Sequence, residues 1–186
     1  MKKLLVVMAM FVVTVMSAYA ENSFQLGLVT PIQIVPEGSG VDGVRLGLIY
    51  TKNSSMKGLD INWIASHTTG RMEGVQVFGL VNIVEGGGKG LQVFNFINYD
   101  KGNFEGFQLG TVNFNESIKG GRLGTINYSQ KLDGGELGFI NVSKNVKGFQ
   151  FGIFNYTEAL DGIQIGFVNV YTQGKLPVLP IINANF

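Results

Sequence analysis

The chain contains no cysteine and a single histidine, His67, among its 186 residues. The missing cysteines exclude disulfides, thiolate metal sites and a lipid-modified cysteine. A histidine-rich metal site is excluded as well, and a catalytic triad would depend on His67 alone. Only 15% of the residues are charged, and 14 Lys and Arg nearly balance 13 Asp and Glu. This balance gives no bulk attraction to nucleic acid, so we expect no nucleic-acid partner.

The N-terminus has the three parts of a secretory signal. Two lysines precede an apolar run over residues 4–16, and the small-x-small sequence Ala-Tyr-Ala ends at Ala20. We therefore expect a cleaved signal peptide, 1–20, followed by a single domain, 21–186. Cleavage removes two lysines and no acid, which leaves 12 basic and 13 acidic residues and a net charge near −1. No later apolar run reaches the length of about 18 residues that a transmembrane helix needs.

A short repeat rich in glycine occupies most of the remaining chain, and 27 of the 186 residues are glycine. Each unit begins with Gly, continues with Gln and Gly between apolar residues, and ends in Asn, as in 148–155. From Asn113 the asparagine recurs every 14 residues as far as Asn183. Two upstream units carry one extra residue each, Phe78 and Phe94. One added residue in an otherwise fixed strand predicts a β-bulge.

This G-φ-Q-φ-G-φ-φ-N unit, in which φ is an apolar residue, resembles the unit of exported bacterial surface-repeat proteins. The resemblance covers about Gly43 to Asn183. It implies a bacterial origin and a place at the cell surface or in the envelope, and it implies no catalytic residue. Asp60 and Ser66 depart from the pattern, because they stand where other units have Gln and Asn.

Two all-β architectures accept such a repeat of strand and polar turn. One is a parallel β-solenoid with coils of 14–16 residues; the other is an antiparallel up-and-down meander of about ten short strands, closed as a β-barrel. The residue before each unit alternates in sign, from Asp42 and Lys57 to Asp161 and Lys175, and tyrosine follows every second conserved asparagine. Successive turns at opposite ends of a meander explain both alternations. We therefore expect the barrel and keep the solenoid as the alternative.

The strands have one apolar face. Phe149, Phe151 and Ile153 share a face of their strand, whereas Gln150 lies on the other. This pattern predicts a lipid-facing exterior and a partly polar interior, and the terminal Phe186 resembles the sorting signal of outer-membrane barrels. The turns are nevertheless short for an outer-membrane barrel, so a soluble or surface-attached β-repeat protein stays open.

We expect no catalytic residue, no cofactor and no metal. His67 lies in an irregular segment and is interpreted as a solvated turn residue. The run Gly86–Gly90 contains a lysine between glycines, but it lacks the Ser or Thr and the helix of a phosphate-binding loop. The asparagine column is interpreted as structural, with each side chain bonding backbone groups at the end of its strand.

The expected function is that of a non-enzymatic outer-membrane or cell-envelope protein with a structural or adhesive role. The alternative is a periplasmic, secreted or surface-displayed module that binds anionic glycans, lipids or a protein partner through a basic rim. Membrane lipid and lipopolysaccharide are the candidate partners, and the sequence identifies no protein partner. The candidate rim consists of Lys57, Lys89, Lys119, Lys147 and Lys175.

Overall fold

The computed structural model describes residues 22–186, which form one 11-stranded sheet wound into a parallel β-solenoid of about nine turns. The expected signal peptide, 1–20, lies outside the described residues. The described part of the chain contains no helix. The strands are β1 (Phe24–Val29), β2 (Ile32–Gln33), β3 (Val41–Asn53), β4 (Met56–Asn62), β5 (Ala65–Thr68), β6 (Met72–Val77), β7 (Val81–Val84), β8 (Gly88–Leu123), β9 (Ile126–Thr157), β10 (Ala159–Tyr171) and β11 (Val178–Asn185).

Each turn of the solenoid, here called a coil, pairs in parallel and in register with the next. The first half of β3 pairs with β4 and the second half with β5, and these strands pair in turn with β6 and β7. Both β6 and β7 then pair with β8. β8 has 36 residues and β9 has 32, because their strand conformation continues through the corners of successive coils. Equivalent residues of neighbouring coils therefore lie side by side, as Asn113 lies beside Asn127.

The expected antiparallel meander and its closure into a barrel are wrong, and the alternative, a parallel solenoid, is correct. Asp42 pairs with Lys57 in the parallel register, and the carboxylate and ammonium groups are 3.6 Å apart. The charge alternation therefore places opposite charges in adjacent coils rather than at two separate rims. The tyrosine alternation also reflects stacking, because the Phe114 ring lies 6.3 Å from that of Tyr99 and 5.9 Å from that of Tyr128.

Antiparallel strands cover both ends of the solenoid. β2 turns back onto β1 after Pro31, which interrupts the strand. At the other end β11 pairs antiparallel with β10. The extra residues Phe78 and Phe94 have φ values of 65° and 59°, so each is accommodated in a left-handed conformation that leaves the neighbouring register intact. Their rings project outward and stack, with the centroids 6.0 Å apart.

A glycine with positive φ forms one corner of each coil. Gly120 has φ 130°, and a Cβ atom there would lie 2.1 Å from the carbonyl oxygen of Gly106 in the preceding coil. Only glycine fits, because the conformation and the close backbone approach both exclude a side chain. This requirement explains why every unit begins with glycine. The column consists of Gly43, Gly58, Gly74, Gly90, Gly106, Gly120, Gly134, Gly148 and Gly162.

The interior contains one apolar column, and its other columns are mainly polar, although Val84 stands between Thr68 and Asp100 in one of them. The apolar side chains pack in two clusters, because Gly88 stands at the equivalent position between them. A single coil cannot bury this column alone, so stability depends on the contact between neighbours. The buried apolar residues are Val35, Val41, Met56, Met72, Val84, Phe104, Ile118, Leu132, Val146 and Leu160.

Candidate functional site

Amide side chains form hydrogen-bonded ladders through the interior. The amide of Asn127 donates to Oδ1 of Asn141 at 2.8 Å and to the carbonyl of Leu137 at 3.0 Å. The glutamine column is similar, since Gln164 donates to Gln150 at 2.7 Å. These groups are fully buried and their partners are neighbouring coils, which supports the structural interpretation of the asparagine column. The ladders specify the parallel register, because identical amides bond best when they lie directly side by side.

Two buried ion pairs replace glutamines in the glutamine column. Arg45 binds Asp60 in the next coil through two hydrogen bonds, 2.7 Å from Nε and 2.6 Å from a terminal nitrogen. Arg122 also donates two hydrogen bonds to Glu136, from Nε at 2.7 Å and from a terminal nitrogen, both to the same carboxylate oxygen. All four side chains are almost completely buried. In each pair the two charges lie one coil apart, so neither is left without a partner in the low-dielectric interior.

Asp100 is a third carboxylate of the interior, and its partners are amides rather than a cation of the described chain. Its oxygens accept hydrogen bonds from Gln92 at 3.2 Å, from Asn115 at 3.2 Å and from Gln108. None of the ion pairs within residues 22–186 includes Asp100. Burial raises its pKa to about 7, and the three amide hydrogen bonds limit that rise.

The raised pKa of Asp100 makes folding stability depend on pH. Between its unfolded value of 3.8 and about 7, the folded protein holds a proton that the unfolded chain has lost. Stability therefore falls as pH rises through this window, by up to about 4 kcal/mol. We expect Asp100→Asn to raise the urea midpoint at about pH 8.5 and to have a much smaller effect near pH 4, as measured by circular dichroism.

The control for this variant is Glu116→Gln, which removes one exposed carboxylate from the next coil. It should leave the pH dependence of the urea midpoint unchanged. An equal shift of the urea midpoint at both pH values would contradict the claim that the buried carboxyl group of Asp100 has a raised pKa.

The candidate basic rim does not form a continuous cationic edge. Lys57 pairs in register with Asp42 and Glu73, and Lys119 pairs with Asp133. We call this line of residues, each preceding a corner glycine, the charge column. Lys89 and Lys147 also lie in it, each beside an acid, whereas Lys175 lies outside it in the turn between β10 and β11.

His67 lies within β5 rather than in a solvated turn, and it is partly buried. Its Nδ1 atom is 2.9 Å from the hydroxyl of Tyr50, and its Nε2 atom is 3.6 Å from Glu85. Lys101 donates a hydrogen bond to Glu85 at 2.8 Å and so lowers the pKa of that carboxyl group. None of these four side chains lines the grooves described next.

The most distinctive surface is a broad exposed apolar face. It is formed by outward-pointing side chains on both sides of a column of inward-facing glycines, such as Gly110 and Gly124. The most exposed are Phe167 (79%), Ile181 (74%) and Trp63 (73%). We define the apolar face by the large exposed side chains that line its grooves: Trp63, Phe78, Leu80, Phe94, Phe96, Leu137, Phe139, Phe151, Ile153, Ile165, Phe167 and Ile181.

Two open grooves run along this face and meet at Gly124 and Thr125, which line both. The N-terminal groove has a volume of about 920 Å³ and the C-terminal one about 650 Å³. Among residues 22–186, no charged residue lines either groove. The apolar strand face predicted from Phe149, Phe151 and Ile153 does point outward, but the sequence could not place the grooves. They depend on the glycine column, whose backbone forms their floor only after the coils stack.

The fold and its surface define a β-solenoid with a polar interior and an apolar outer face. The chain matches no family model, no curated protein and no solved structure. Within residues 22–186 there is no helix long and apolar enough to cross a membrane. The same residues contain no group of three His, Asp or Glu side chains placed to hold a metal ion.

Proposed function

We propose that this protein is a non-enzymatic component of the bacterial outer membrane or cell envelope, with a structural or adhesive role, and that its binding surface is the apolar face. The exposure of this face carries the proposal. Each of the twelve large side chains of the face exposes about 100 Å², so the apolar face presents about 1,200 Å² to solvent. The largest apolar patch of a typical soluble monomer covers about 300–600 Å². An excess of this size is typical of surfaces that are covered in the functional state.

The polar groups of the chain support a scaffold rather than a catalyst. Inside the coils, two arginines, three acids and the amides bond one another, as Arg122 bonds Glu136 and Asn115 bonds Asp100, and so hold adjacent coils together. The grooves, where a substrate would enter, are lined by apolar residues with Asn95, Thr111 and Thr125 as the polar exceptions. Polar groups that hold the coils together and an apolar face that is free to bind are what a structural or adhesive scaffold requires.

Cell fractionation tests this proposal. Expressed with its own leader sequence, the wild-type protein should be recovered in the envelope fraction. The double substitution Phe139→Asp and Phe167→Asp should lower the ratio of envelope to soluble protein at least tenfold, because it introduces charge into the centre of the face. Both side chains are more than half exposed, so the fold should be preserved.

The matched control is Ile32→Asp with Ile34→Asp, which changes two equally exposed residues near β2, outside the grooves. This variant should fractionate as the wild type does. Recovery of the wild-type protein wholly in the soluble fraction would rule out the envelope role.

A further inference from the structure

We infer that the apolar face is a homodimer interface, in which a second copy of the chain packs antiparallel against the first as a face-to-face β-sandwich. This inference rests on the proposed function, because it names the partner that covers the same face. Three features favour a second copy over a lipid surface: the area of the face, its shape and the charges along its edge.

The area of the face matches that of a stable dimer. A standard protein interface buries about 800 Å² on each partner. The apolar face offers about 1,200 Å² of large side chains, so burial of two thirds of it reaches that size. Its composition is also suitable, because interface centres are enriched in aromatic residues and depleted of charge. Phe139, Phe151 and Phe167 meet this description, and the described part of the chain places no charged residue in the lining of the grooves.

The shape of the face is complementary to itself. Ridges of large side chains run along the solenoid axis beside the grooves, and both repeat once per coil, about every 4.8 Å. A second copy has the same spacing over the same length, so its ridges can enter the grooves of the first. Thr111 and Thr125 form a low central region between a Trp63 half and a Phe167 half. An antiparallel partner places the most protruding side chain of one copy over the opposite half of the other.

The charge column distinguishes the second copy from a lipid surface. Proteins that lie on anionic membranes carry an excess of Lys and Arg beside the apolar face. Here the signs alternate coil by coil, as in Asp42, Lys57 and Glu73, so the edge has no cationic excess. The charge column of a second copy has the same alternation, so acids of one copy can face lysines of the other. A twofold axis that crosses the solenoid between two coils places four of the five acids of this column at the level of a lysine of the partner.

Trp63 is the only tryptophan of the chain and lies on this face, so it reports directly on dimer formation. The protein is purified in the form that the cell exports and studied by sedimentation velocity from about 0.1 to 100 µM, a range that brackets a dissociation constant of about 1 µM. We expect twice the mass of one chain at the upper end. The Trp63 emission should shift to the blue and become less accessible to acrylamide as the dimer forms.

Two variants locate the interface. Phe139→Asp places a charge on the face, and Thr125→Arg fills the junction of the two grooves without removing any apolar side chain. Each should raise the dimer dissociation constant at least 100-fold while the circular dichroism spectrum is retained. Ile32→Asp is the control, since Ile32 is 64% exposed and Phe139 is 59% exposed, and it should leave the constant unchanged.

A monomer at every concentration, with Trp63 exposed throughout, would overturn the inference. A dimer that survives both face substitutions in folded protein would also overturn it. These outcomes are separable from a failure of the proposed function. A monomer whose envelope association still depends on Phe139 refutes only the dimer, whereas a face-dependent dimer found wholly in the soluble fraction refutes only the envelope role.

Discussion

Replacing Gly120 with alanine is expected to destabilise the solenoid by more than about 4 kcal/mol, a loss that few single substitutions reach. The residue has φ 130°, a conformation that is almost exclusive to glycine. The added Cβ would also lie 2.1 Å from the carbonyl oxygen of Gly106, and this backbone atom belongs to the parallel ladder that joins the coils. The two coils would have to separate at this corner. Thermal unfolding followed by circular dichroism measures the loss.

The adjacent Gly121 supplies the control. Its φ is not in the glycine region, and a Cβ there would meet the ring of Phe107 at 3.0 Å, a side chain that can move. Gly121→Ala should therefore change the free energy of unfolding by no more than about 1 kcal/mol. The close contact of the new Cβ with the Phe107 ring is offset by the lower conformational entropy of the unfolded chain. Equal effects of the two substitutions would show that backbone conformation does not set the glycine column.

Arg122→Gln is expected to destabilise the protein by about 3–5 kcal/mol, because it leaves the carboxylate of Glu136 buried without a cation. The same change removes the hydrogen bonds that Arg122 donates to Asn115 at 3.0 Å and to Ser143 at 2.9 Å. Urea unfolding near neutral pH measures the loss. Since glutamine is the usual residue of this column, a glutamine side chain fits the space.

The double variant Arg122→Gln with Glu136→Gln provides the decisive comparison. It restores an amide ladder with Gln108 and Gln150 on either side, so stability should return to within about 1 kcal/mol of the wild type. If the double variant lost as much free energy of unfolding as the two single variants lose together, Arg122 and Glu136 would not depend on each other as an ion pair.

Local features of the strands were predictable from the sequence. The alternation of Phe149, Gln150 and Phe151 separates an outer from an inner face, and in the structure Gln150 is completely buried whereas Phe151 is 52% exposed. The extra residues Phe78 and Phe94 lie where the chain takes a left-handed conformation. Such features depend on two or three neighbouring residues, so periodicity alone is sufficient to find them.

The pairing of the strands was not predicted correctly, because it depends on contacts 14–16 residues apart. The alternating signs of Asp42 and Lys57 fit both architectures, and the alternating tyrosines favour the meander, because successive turns at opposite ends explain both patterns. A signal against it was present in the glutamine column, where Arg122 and Glu136 stand 14 residues apart with opposite charges. Only a parallel register brings them together inside the protein, as the structure does.

The distance between Asp42 and Asp161 tests the central claim, a solenoid whose coils stack in parallel, most directly. The chain has no cysteine, so Asp42→Cys and Asp161→Cys provide two unique positions for spin labels. They lie eight coils apart in the charge column, which predicts a separation of about 40 Å at about 4.8 Å per coil. Dilution with unlabelled protein removes distances between copies. A distribution centred near 40 Å is expected, whereas one centred below about 20 Å, as for neighbouring ends in a closed barrel, would contradict the solenoid.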